Sequence, residues 1–215
     1  MIEPNSGKNP AAFARRSAWT QSWRNLRDKL STSGTGNRSF DVELLRLFAQ
    51  SRMTSVPALA FIALSAAVMS FMWTPEVDVL LWLAIVWACH LVSYKTARSL
   101  LEQPEADLLV LSWRRRFVAT ELCHGLAWAM LTVLFLNEPD ATARIFVLFV
   151  LLLISALTSL ISATVPMAVY AGLMPTTIAV VLYMHPVWQE QAWPVALMAC
   201  GAQFFFLVLA QRLYV

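Results

Sequence analysis

Two histidines, one glutamate and two cysteines are the residues of this chain best placed to do chemistry. His90 lies about one turn before the end of an apolar stretch, and Glu121 and His124 stand three residues apart near the start of the next, with Cys89 and Cys123 beside them. If the two stretches run antiparallel, all five side chains share a depth. A glutamate and a histidine at i and i+3 present two ligands on one helix face, which is how some helical bundles hold a metal. That use needs further carboxylates from other helices, and none is present, so no metal, cofactor or catalytic residue is assigned. Two other readings stay open. One is a proton-responsive polar cluster, because histidine changes charge near neutral pH. The other is structural: Glu121 pairs with the run Arg114, Arg115 and Arg116, and the histidines hydrogen-bond between helices. Ionisable groups inside a membrane are costly and face a bundle interior or a cavity.

The elements that must position these groups are apolar spans at about 55 to 73, 78 to 94, 117 to 136, 145 to 163, 167 to 184 and 193 to 210. A helix rising about 1.5 Å per residue crosses a hydrocarbon core of about 30 Å with about 20 residues, so the expected fold is all-α, a polytopic membrane protein with six transmembrane helices. The second span is short unless it extends toward Leu101. Fifteen of the sixteen Lys and Arg residues fall on one side of this layout, and Arg144 alone falls on the other. The positive-inside rule then puts both termini in the cytoplasm. Composition agrees: 59% apolar residues, 13% charged residues and a mean hydropathy of +0.61 are far from those of a soluble domain. The net charge of +3 reflects topology and anionic lipid rather than nucleic acid. Cys89, Cys123 and Cys200 all sit in apolar spans, with no pairing pattern.

Residues 1 to 39 read as a basic cytoplasmic arm, disordered at its start. Within it Trp19, Trp23, Leu26 and Leu30 recur at helical spacing, while Arg15, Arg16, Arg24, Arg27 and Lys29 are expected to contact lipid headgroups. Residues 40 to 54 form an amphipathic lead-in helix, with Val42, Leu44, Leu45 and Phe48 set against Asp41, Glu43, Arg46 and Arg52. Asp41 is its expected N-cap, and the helix feeds into the bundle of residues 55 to 215 near Pro57, in a first turn where proline is tolerated. Trp73, Trp82, Trp188 and Trp193 are expected in an outer interfacial belt. Ala63 and Ala67, and Ser155, Ser159 and Ala163, repeat at four-residue spacing suited to close helix packing. Pro175 should kink its helix, with the hydroxyl of Thr176 or Thr177 serving the freed carbonyl. Gln203 reads as another interhelical hydrogen bond. There is no Gly-x-Ser-x-Gly elbow, His-Glu-x-x-His motif or P-loop.

The run DVELLRLFAQSRMTSVPALAFIALSAAVMSFMW at Asp41 to Trp73, the segment WRRRFVATELCHGLAWA at Trp113 to Ala129 and VLFVLLLISALTSLISATVPMAV at Val147 to Val169 together resemble the N-terminal six-helix membrane region of bacterial sensor histidine kinases. Related regions precede diguanylate cyclase outputs. The resemblance covers about residues 40 to 215 and rests on layout and the Trp-Arg-Arg-Arg-Phe element. It implies a signal-input module in the bacterial inner membrane, homodimeric, with membrane lipids as partners and a cytoplasmic output domain of the same parent chain. No kinase residue transfers to this sequence. The sixth helix would relay packing changes, with Cys200, Gly201 and Gln203 as expected contact positions. The competing reading is a small transporter-like or otherwise uncharacterised integral membrane protein.

Overall fold

A computed structural model describes residues 38–104, 108–184 and 193–214. Six helices make up the described residues: α1 (Arg38–Ser70), α2 (Glu76–Leu101), α3 (Val110–Leu134), α4 (Ala141–Ile161), α5 (Pro166–Met184) and α6 (Trp193–Tyr214). The first five are each long and apolar enough to cross a membrane, the make-up of a multi-pass membrane protein. From Val42 onward the chain is one compact unit. The arm that carries Arg15, Arg16, Arg24, Arg27 and Lys29 lies outside the described residues, as does the segment 185–192.

Three boundaries differ from the sequence reading. The lead-in helix and the first span are one uninterrupted helix of 33 residues, so Pro57 sits in its interior rather than in a first turn. Proline removes one backbone donor and leaves the Met53 carbonyl without its i+4 partner; just upstream, the hydroxyls of Thr54 and Ser55 bond to the carbonyls of Gln50 and Ser51. Asp41 lies in the first turn of α1 instead of capping it. The second span does extend to Leu101, which gives α2 26 residues.

At about 1.5 Å per residue α1 is about 50 Å long, more than a hydrocarbon core requires. Its first third packs into the bundle. Val42, Leu45, Phe48 and Ala49 join Ala97, Leu100, Leu108, Trp113, Phe117, Val165 and Ala168 in one apolar cluster. The Phe48 and Phe117 rings lie 4.7 Å apart. A second, larger cluster fills the other end, from Leu59, Ala63, Ala66 and Ala67 of α1 to Trp82, Val86, Trp128, Leu131, Val147, Leu151 and Val180. Trp82 belongs to this core and not to an interfacial belt: its indole N–H donates to the Ala127 carbonyl at 2.9 Å, and its ring meets Trp128 edge-on. Residues 79, 82, 83, 86, 90, 93, 97 and 100 are the buried stripe of α2, and Trp82 is in phase with it.

Trp73 does lie at a helix end, in the turn after α1, where its N–H donates to Asp140 at 2.8 Å. Asp140 caps α4 by accepting from the Thr142 backbone N–H at 2.9 Å. That bond, and then the one from Trp73, hold the Asp140 carboxyl below the usual carboxylate range. The folded chain therefore favours the ionised form, and the resulting stability is present above the ordinary value of about 4. It is lost as pH falls through the lower, folded value. We expect thermal melts of wild type and Asp140→Asn in micelles to converge between pH 7 and about pH 3; a constant gap would remove this assignment.

Candidate functional site

The two apolar clusters are separated by a polar layer at one level on three helices. On α1, Arg52 follows Ala49 of one cluster and precedes Leu59 of the other. On α2, His90 and Ser93 stand between Val86 and Ala97, and on α3, Glu121 and His124 stand between Phe117 and Ala127. All are withdrawn from the surface, with relative exposures of 2% for Arg52, 3% for His90, 4% for Ser93, 0% for Glu121 and 1% for His124.

Arg52 and Glu121 form an ion pair. The His90 and His124 rings face each other with centroids 5.0 Å apart and planes tilted by 55°, and His124 meets Trp128 at 6.3 Å. The ring nitrogens of both histidines, the Ser93 hydroxyl and the Trp128 indole N–H are buried without a hydrogen-bond partner among the described residues. Each such group costs about 1 to 3 kcal/mol, so this layer is the least satisfied part of the core. The Cys89 thiol reaches the Cys123 carbonyl at 3.8 Å. Antiparallel α2 and α3 thus place His90, Glu121 and His124 in one buried layer, whereas Cys89 is half-buried and Cys123 exposed, so the two thiols lie outside it. Among the described residues, no three His, Cys, Asp or Glu side chains converge as a metal would require.

Room for the carboxylate comes from glycine. Gly125 of α3 and Gly172 of α5 lie against each other, and a Cβ on Gly125 would be 2.3 Å from the Gly172 carbonyl oxygen. A Cβ on Gly172 would lie 2.8 Å from the Thr158 methyl and 3.4 Å from a Glu121 carboxylate oxygen. Small residues of this kind let membrane helices approach backbone to backbone.

The structure corrects the expected partner of Glu121, which is Arg52 and not a member of the 114 to 116 run. Arg116 instead stacks on the Trp113 ring, 4.7 Å from its centroid. Arg52 itself was expected on the polar side of α1. Its phase told otherwise: positions 42, 45, 49 and 52 fall on one face of a helix, so Arg52 continues the buried stripe.

Compared with known proteins, the chain matches no protein-family model, no curated protein and no solved structure.

A second polar contact ties the last helix to the bundle. The Gln203 side chain of α6 donates to the Ser155 hydroxyl of α4 at 2.8 Å, and the Thr177 hydroxyl of α5 reaches the Gln203 oxygen at 3.4 Å. Ser155 also lies 3.3 Å from Thr176. Both threonine hydroxyls bond to the Leu173 carbonyl at 2.8 Å, not to the Ala171 carbonyl that Pro175 frees, which corrects the expectation for α5. Gln203 is a contact position as expected, and Cys200 is half-buried. Gly201 is not one: it is exposed, and a Cβ there would meet nothing within 4 Å. A bulky residue at 201 has open space beside it and cannot force a rearrangement within the chain.

Proposed function

We propose that this chain is the membrane-embedded input module of a bacterial sensor-kinase-type receptor. In this reading it crosses the inner membrane six times with both termini in the cytoplasm, acts as a homodimer and passes a change in packing through α6 to a cytoplasmic output domain. The observation that carries the proposal is the Gln203 contact. A buried amide of α6 is held by hydroxyls from α4 and α5, so the last helix is coupled to the bundle at a directional polar contact inside an apolar core. The turn between α1 and α2 and that between α3 and α4 are short, leaving no room there for a separate ligand-binding domain. The stimulus accordingly arises in the membrane, as lipid state, a hydrophobic ligand, a partner protein or proton activity. A stimulus biases output only through its differential interaction with two packing states.

The test uses the natural gene and its full-length product. The reading frame is expected to continue past Val215 into a heptad-patterned helix and a kinase output. In that protein Gln203→Leu should shift basal autophosphorylation by about fivefold or more, the lower end of ordinary allosteric coupling. Reporters at Gly36 and Pro104 should stay cytoplasmic, and those at Pro139 and Gln189 external. A frame that stops at Val215, a periplasmic C-terminus, or a Gln203→Leu receptor with its normal range of response would each overturn the reading.

A further inference from the structure

The inner end of α3 carries a surface that neither the buried layer nor the relay uses. Ser112, Arg115, Arg116 and Ala119 follow one another at intervals of three, one and three residues, which places them on one face of the helix. With Leu109 and Leu111 they line an open groove of about 550 Å³. Leu109 and Leu111 are 72% and 56% exposed, and Arg115, Arg116 and Ala119 are exposed as well. The groove thus joins three kinds of surface over about 10 Å of helix axis: a hydroxyl, two cations and a floor opened by the small side chain of Ala119. The Arg116 guanidinium is seated on the Trp113 ring, and an arginine so stacked loses less freedom when it binds an oxyanion.

Charge and apolarity together select the occupant. A free phosphate would satisfy the two guanidinia and leave the leucines bare, whereas a zwitterionic lipid brings its own cation toward two arginines. We propose that this groove is a binding site for one anionic phospholipid, its phosphate between Arg115 and Arg116, its polar head toward the Ser112 hydroxyl and one acyl chain over Ala119. The proposal rests on the membrane reading of the chain and identifies a lipid partner by its chemistry. Arginine suits this role because its planar fork matches phosphate oxygens in pairs.

The experiment is native mass spectrometry of the full chain released from nanodiscs of equal phosphatidylglycerol and phosphatidylcholine. Wild type is expected to retain one phosphatidylglycerol in preference to phosphatidylcholine. Arg115→Gln/Arg116→Gln is expected to lose that retention by about thirtyfold, since each of the two basic residues near a charged membrane surface is worth about 1 kcal/mol. A single-charge control, Arg98→Gln, removes a cation that is exposed and paired with Glu102 at the end of α2, outside the groove, and should retain the lipid. Equal retention of both lipids by wild type, unchanged retention by the double variant, or displacement of the lipid by inorganic phosphate would each overturn the site. A chain that does not enter the nanodiscs would remove the membrane reading, and the site with it.

Discussion

A leucine at position 125 is expected to abolish the native bundle, and even Gly125→Ala should cost about 3 kcal/mol. The added Cβ would sit 2.3 Å from the Gly172 carbonyl oxygen and 3.0 Å from its carbon, and both belong to backbone that cannot rotate away. Inserting one methyl into a packed core ordinarily costs about 1 to 3 kcal/mol. The alanine is placed at the top of that range because the obstacle is main chain, and the larger leucine goes beyond it. Parting α3 from α5 also withdraws the wall against which Glu121 rests. The measurement is the unfolding free energy in mixed micelles, with Gly201→Ala as a reference change in open space. If Gly125→Ala and Gly201→Ala have equal effects, the two backbones do not touch.

Removing one member of the Arg52 and Glu121 pair should cost about 3 to 5 kcal/mol, because it strands a buried charge. Arg52→Met leaves the carboxylate without its partner, and Glu121→Met does the same to the guanidinium. Replacing both should restore most of the loss, since swapping a buried ion pair for apolar residues of similar volume is often neutral or stabilising. The scale of an ordinary interhelical hydrogen bond in membranes, about 0.6 to 2 kcal/mol, would be too small for either single variant. A double-mutant cycle in micelles separates these outcomes. Additive single effects would show that the two side chains do not depend on each other, and the polar layer would lose its central contact.

Much of this architecture could be read from residue types alone, because a bilayer demands long apolar helices and the helices are where that demand puts them. The shared depth of His90, Glu121 and His124 was legible for the same reason, since antiparallel neighbours fix which residues meet. Which side chain faces which was less so. Glu121 has three arginines within one to two turns of its own helix, and sequence proximity favours them, yet α1 brings Arg52 across from 69 positions away. The helical phase of Arg52 carried the signal, and its charge concealed it. Trp82 misled in the same way, as tryptophan suits both a headgroup belt and a core, and only its place in the stripe with Val79, Val86 and His90 distinguishes the two. Gly125 and Gly172 gave no pattern at all, for their spacing is set by the meeting of two helices and not by either one.

The position of the ionic layer between two apolar clusters gives the bundle a level of weaker side-chain cohesion. Apolar packing resists bending because many small attractions must be lost at once, and each cluster is stiff for that reason. At the level of Arg52, His90 and Glu121 the side chains are held by one ion pair and facing rings, with several polar atoms that have no hydrogen-bond partner among the described residues. Because α1, α2 and α3 run unbroken through this level, the two clusters are joined there by helix backbone, while the side chains between them contribute the least cohesion.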